Sequence, residues 1–190
     1  MDRLKLVLAS SSDIRQKILS KYNISYKIAS HKFDEDSYKE DHNLNPIDLS
    51  MHLATNKSLS LAEDYEEIIL GCDQVCVMGS QIFSKPLTKV NAIENLLKLA
   101  GNTHELIGSY AFSRKGKLLY SETITSVMTM KNLSEKDIID YVELDEPLKS
   151  CGSYMFEKNG YNLFSEITGS LEAINGLPFK YLSKKLKQYV

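Results

Sequence analysis

The sequence predicts a mixed α/β or α+β fold carried by one domain over residues 1–190. Three observations point there. The chain opens as strand, polar turn and helix. Its strongest apolar stretch, Ile68 to Met78, is a strand signal far from either end. In the second half two long strand-like segments, Thr103 to Phe112 and Lys117 to Met130, flank a turn at Arg114–Lys117, which argues for hairpins and against a purely parallel doubly wound sheet.

The elements follow in order. Leu4 to Ala9 reads as a buried strand, and Ser12 is placed to cap an amphipathic helix carrying Ile14, Ile18, Leu19 and Tyr22. Ile24 to Ser30 is a second strand. Residues 31–45 are polar, lack periodicity and are expected as a surface loop. Asn45-Pro46 starts a helix through Leu49, Leu53, Ser60 and Leu61 that should end near Glu63. After the strand to Met78, Gly79-Ser80 turns the chain and Gln81 to Phe83 returns as a short partner. Thr88 caps a helix through Ala92, Ile93, Leu96, Leu97 and Leu99, which Gly101 stops. Ser134 to Asp137 resembles a capping box and opens a helix to about Glu143. Cys151 to Phe164 is expected to hold short strand segments broken by Gly152 and Gly160, and a last helix follows Pro178.

Composition narrows the function. With 43% hydrophobic and 25% charged residues the chain has the balance of a soluble globular protein. A net charge of -2 offers no basic face for duplex nucleic acid. The Ile68–Met78 run is too short to cross a bilayer, and Asp2 and Arg3 are followed by no secretory apolar segment, so neither membrane nor leader is expected. Cys72, Cys76 and Cys151 form no CxxC pair, which suits free thiols in the cytoplasm.

There is no GxxxxGK[ST], GxGxxG or GxSxG pattern, and the four histidines and three cysteines show no zinc spacing. Three stretches remain. Ser10-Ser11-Ser12 with Ile14 and Arg15 puts hydroxyls, backbone N–H groups and a guanidinium at a helix start. That is either an anion site or an ordinary cap beside a solvated charge. Phe33-Asp34-Glu35-Asp36 clusters carboxylates that suit a hard divalent cation or simply face water. Gly71-Cys72-Asp73-Gln74 sets a carboxylate in a buried strand, as a functional group or as a partner of nearby backbone. Lys57 and Lys85 are available cations.

Taken together, Leu8-Ala9-Ser10-Ser11-Ser12-x-x-Arg15, Asp34-Glu35, Leu53-Ala54-x-x-Lys57, Gly71-x-Asp73, Lys85-Pro86, Leu133-Ser134-Glu135, Tyr141 and Gly176-Leu177-Pro178 resemble, in this order and across the chain, the Maf family of nucleoside triphosphate pyrophosphatases. The resemblance implies an α/β fold: a long bent mixed β-sheet with flanking helices, in two lobes around a cleft, as in inosine triphosphate pyrophosphatases. It implies Mg²⁺ or Mn²⁺ as cofactor, held by Glu35 and Asp73, with Asp73, Lys57, Lys85 and Glu35 catalytic. Ser10, Ser12, Arg15, Ile14, Gln74 and Glu157 would bind a small-molecule nucleotide. The subgroup resembled most, through Gly71 to Val77, Lys85 to Thr88, Cys151 to Tyr154 and Glu157, acts on 7-methyl-GTP, although Ile14 stands where that branch tends to have Trp. The alternatives are a dTTP/UTP pyrophosphatase and a non-catalytic nucleotide-binding regulator of cell division. A homodimer is common in the family. The Gly169–Ala173 segment lacks the family's usual residues.

Overall fold

A computed structural model of the chain describes residues 5–35, 38 and 44–189. Leu4 of the first expected strand, Asp36 of the acidic cluster and His42 lie outside the described residues. The described elements are β1 (Lys5–Ala9), α1 (Asp13–Leu19), β2 (Ser25–Ala29), α2 (Pro46–Leu59), β3 (Ile68–Met78), β4 (Gln81–Phe83), α3 (Lys89–Leu99), β5 (Thr103–Arg114), β6 (Lys117–Met130), α4 (Glu135–Asp145), β7 (Phe164–Thr168), α5 (Leu171–Ile174) and α6 (Phe179–Leu186). The strands form one seven-stranded sheet of order β2-β1-β3-β5-β6-β7, with β4 also on β3. β1 runs parallel to β2 and β3, whereas β4 and β7 pair antiparallel with β3 and β6. This is the mixed α/β class that the sequence predicts. The chain divides into two compact units: Met1–Asp73 with Gly108–Ile124 and Leu171–Val190, and Gln74–Ile107 with Thr125–Ser170.

In the first unit β1 and the start of β3 are buried on both faces. Leu6 and Leu8 of β1, with Ile68, Leu70 and Cys72 of β3, pack against Ile18 and Leu19 of α1 and Leu182 and Leu186 of α6. Val7, Ala9 and Ile69 pack with Leu61 in a second cluster. Burial on both sides is why these strands read as continuous apolar runs. α2 buries the stripe Leu49, Ser50, Leu53, Ala54, Lys57 and Ser58. Its start is set by Pro46 and by the Asn45 side chain, which accepts the Asp48 N–H at 2.9 Å. β5 reverses into β6 through Lys115 and Gly116 at φ 50° and 72°, the positive pair of a type I′ hairpin.

In the second unit Thr88 caps α3 and a full capping box between Ser134 and Asp137 starts α4, as expected. Ala92, Leu96 and Leu99 of α3 and Ile138, Tyr141 and Val142 of α4 are buried.

Several expectations are corrected. Cys151 to Phe164 holds no run of short strands. It makes 3₁₀ turns at Cys151–Ser153 and Asn159–Leu163, and strand begins only at Phe164. The cause is backbone: Gly152 and Ser153 take φ of 70° and 62°, outside any extended strand. Ser12 holds the N-cap position but its side chain makes no capping bond; the Ser12 N–H donates to Ser10 Oγ at 3.2 Å instead. α2 ends at Leu59, and turns rather than helix lead toward Tyr65. Within the expected 31–45 loop, Glu35 and Tyr38 are helical. Among the described residues no helix is long and apolar enough to cross a membrane.

Candidate active site

The first unit assembles a charged cluster from three elements. β1 and β3 pair in parallel with Ala9 opposite Gly71, so the serine turn after β1 lies beside Cys72. Alternation along β3 puts Cys72 with the cluster of Ile68 and Leu70, and Asp73 on the face of Ile69 and Gly71. α2 crosses that face. A Cβ on Gly71 would lie 2.0 Å from Ala54 O and 2.8 Å from Ser58 N, so only glycine lets the helix backbone come this close.

That approach delivers Lys57, the next residue but two after Ala54, to Asp73. The Lys57 Nζ donates to Asp73 Oδ1 at 2.7 Å and lies 2.9 Å from Glu35 Oε2. The three side chains are 8%, 9% and 18% exposed. Two carboxylates around one ammonium leave an excess negative charge in a largely water-free place. Glu35 is kept there by its neighbours. Tyr38 stacks on His52 of α2 with ring centroids 4.1 Å apart, and Phe33 packs edge-on to the same imidazole at 6.0 Å. The second Glu35 oxygen lies 3.5 Å from His31 Nε2.

Arg15 sits on the other side of the β1 turn. Its Nε donates to Gly176 O at 2.9 Å, and Nη1 donates to Cys72 O at 3.0 Å and to Ser10 Oγ at 3.4 Å. The guanidinium is therefore held in place by backbone, and Ser10, itself buried, is spent in holding it. Ser12 is half-buried, and Ile14 packs half-buried against the apolar cluster that includes Leu6 and Tyr110. Burial pushes the Cys72 thiol up to about 11, which removes it as a nucleophile at neutral pH.

Lys85, Gln74 and Glu157 belong to the second unit. Lys85 is exposed on the stretch between β4 and α3. That stretch is fixed by Asn91 Nδ2, which donates to Pro86 O at 2.9 Å, and by the Leu87 N–H, which donates to Leu148 O at 3.0 Å. Leu87 takes a φ of 63° there, a strained value for a leucine. Gln74 is half-buried on β3, and Glu157 is exposed in a turn.

The structure thus brings Glu35, Lys57 and Asp73 into one cluster and Ser10 and Arg15 into another. Sequence reasoning missed the packing role of Gly71 and the nearness of His31. It also took Lys57 only as an available cation, although Leu49, Leu53 and Lys57 share a four-residue spacing that marks one buried helix face. Among the described residues no group of three or more His, Cys, Asp or Glu side chains is arranged to hold a metal ion.

The chain belongs to the Maf-like protein family, which it matches over residues 5–189. A nucleoside triphosphate pyrophosphatase of Pelagibacter ubique is 36% identical over 189 residues, which is 96% of this chain and 97% of that protein. A 7-methyl-GTP pyrophosphatase of Bdellovibrio bacteriovorus is 36% identical over 188 residues, 98% of each chain. Among solved structures, a HAM1 protein from Coxiella burnetii aligns over 97% of this chain and 99% of that one with a TM-score of 0.49 and 14% identity.

Proposed function

We propose that the protein, acting as one Maf-like domain over residues 1–190 in the cytoplasm, hydrolyses nucleoside triphosphates between the α- and β-phosphates, and that 7-methyl-GTP is its preferred substrate. The carrying observation is the Glu35–Lys57–Asp73 cluster: two nearly buried carboxylates converge on a single cation within 2.9 Å. A binder has no use for a general base beside the phosphates, whereas hydrolysis of an anhydride uses one to activate the attacking water.

The donor set fits Mg²⁺ or Mn²⁺. Glu35 and Asp73 supply hard oxygens, and Mg²⁺ is ordinarily bound through one or two carboxylates with water and substrate phosphates completing its shell. When bound, the cation supplies charge neutralisation at the phosphates. The other work falls to the chain. Asp73 accepts the proton of the attacking water as its oxygen bonds to phosphorus and the bridging P–O bond breaks, giving nucleoside monophosphate and pyrophosphate. Lys57 orients both carboxylates. Arg15, Lys85 and the Ser10–Ser12 turn offset triphosphate charge, and positioning plus electrostatics suffices without a covalent nucleophile. Ile14 and Gln74 contact the nucleotide.

Glu157 supports the base assignment. Guanine presents N–H donors on its Watson–Crick edge, which a carboxylate accepts, and methylation at N7 makes the ring cationic and an acidic partner more favourable. One experiment tests the reading: pyrophosphate release from 7-methyl-GTP, GTP, dTTP and UTP, with Mg²⁺, with EDTA, and with Mg²⁺ restored. The expected result is highest kcat/KM on 7-methyl-GTP, lost in chelator and regained with metal. A preference for dTTP or UTP overturns the base assignment, and full activity in EDTA overturns the metal.

A further inference from the structure

Glu157 stands on a turn that is closed on itself and bolted down at both flanks. Met155 O accepts the N–H groups of Lys158 and Gly160, each at 3.1 Å, which draws residues 155–160 into a knot with Phe156 and Glu157 at its tip. Gly160 is required for the closure, since a Cβ there would lie 2.4 Å from Met155 O.

Both flanks are held by α4. On one side the Met155 N–H donates to Tyr141 Oη at 2.8 Å. On the other, Asp145 Oδ2 accepts the Asn159 N–H at 3.0 Å and Oδ1 accepts Asn159 Nδ2–H at 2.7 Å. Tyr141 and Asp145 are one helical turn apart on the same face of α4, and they are 6% and 5% exposed. A carboxylate buried that far is costly unless its oxygens are bonded, and here each oxygen accepts a hydrogen bond from the same residue of the turn. Between the bolts Glu157 and Lys158 are exposed, and Glu157 is the one carboxylate assigned to the base.

We propose that Tyr141 and Asp145 are positioning residues for base selectivity: they hold the 155–160 turn so that Glu157 meets the base edge already ordered. The inference rests on the reading of Glu157 given above. An acceptor on a loose turn must be ordered when the nucleotide arrives, and that cost falls only on the nucleotide whose base it contacts. The clamp therefore acts on discrimination between bases through KM.

The test compares wild type, Tyr141→Phe, Asp145→Ala, Asp145→Asn, Glu157→Gln and the Asp145→Ala/Glu157→Gln double variant by kcat/KM on 7-methyl-GTP and UTP, with thermal unfolding of each. Asp145→Ala and Tyr141→Phe should each lower the 7-methyl-GTP to UTP ratio roughly three- to tenfold, the scale of a lost hydrogen bond, with KM for 7-methyl-GTP carrying the change. Asp145→Asn should recover part of the loss, because its amide oxygen still accepts the Asn159 N–H. The double variant should be no less selective than Glu157→Gln alone, because the clamp acts only through that side chain. Wild-type ratios in Asp145→Ala and Tyr141→Phe, or additive losses in the double variant, overturn the clamp; if Asp145→Ala does not fold, Tyr141→Phe decides. A wild type that prefers UTP overturns the base assignment separately, and the double-variant coupling then still decides the clamp: coupled losses support it and additive losses overturn it.

Discussion

Gly71→Ala is the smallest change that should disturb the charged cluster without touching a charge. The new Cβ would sit 2.0 Å from Ala54 O and 2.8 Å from Ser58 N, both of them backbone atoms of α2. Backbone cannot rotate aside as a side chain can, so helix and strand must part by about 1.4 Å to bring the 2.0 Å approach to an ordinary 3.4 Å contact. Lys57 travels with Ala54 and Ser58. Its 2.7 Å bond to Asp73 would open beyond the ~3.2 Å at which an N–H···O bond remains good. Overpacking of this kind costs about 1–3 kcal/mol, a fall in Tm of roughly 2–10 °C for a chain of this size. Displacement of a catalytic group by about 1 Å costs on the order of 10²-fold in rate. Differential scanning fluorimetry and pyrophosphate-release kinetics read the two effects side by side. A variant that melts lower yet turns over at the wild-type rate would show that the close approach serves packing alone. One that matches wild type in both would show that α2 does not need the glycine.

Two further outcomes follow. Asp73→Asn keeps the shape of the side chain and leaves Lys57 its 2.9 Å contact with Glu35, so the fold should persist while kcat falls roughly 10²-fold or more; a near wild-type kcat would make Asp73 structural. His104, buried against Tyr154 and Phe164, is held down to about 4 from 6.5 by burial, so it stays neutral in the fold while the unfolded chain takes up a proton: stability is full above pH 6.5, is lost as pH falls toward 4, and should drop by about 2 kcal/mol between pH 7.5 and 5 in urea titrations, a drop that His104→Gln should largely remove.

Which parts of this were legible in the sequence follows from which interactions are local. Caps are local: Asn45, Thr88 and the Ser134–Asp137 box are spelled out within four residues, and all three form. The I′ turn at Lys115-Gly116 is local too. The 151–163 stretch failed because its conformation is fixed at a distance. Asn95 of α3 bonds the left-handed Ser153, and Asp145 and Tyr141 of α4 hold the turn that follows, none of which leaves a period in the segment itself. Within the site, Asp73 was visible as a carboxylate in an apolar strand. What Arg15 touches was not, since two of its partners are the carbonyls of Cys72 and Gly176, and a carbonyl has no sequence signature.

The Arg15 contacts also separate two ways of using a cation. Arg15 is bound to neutral carbonyl and hydroxyl oxygens, so its full charge remains to act on an approaching anion while its direction is fixed. Lys57 is bound to two carboxylates, so its charge is more than cancelled where it stands. Under the proposed reading the first arrangement serves the triphosphate and the second the divalent cation. Both are built on the same pair of parallel strands, Arg15 and Ser10 after β1 and Asp73 on β3, and the alternation of β3 sends Asp73 toward α2 while the Cys72 carbonyl meets Arg15. Arg15 therefore carries an uncancelled positive charge and the Lys57–Asp73–Glu35 cluster a net negative one, the two signs that the proposed metal-bearing triphosphate presents in reverse.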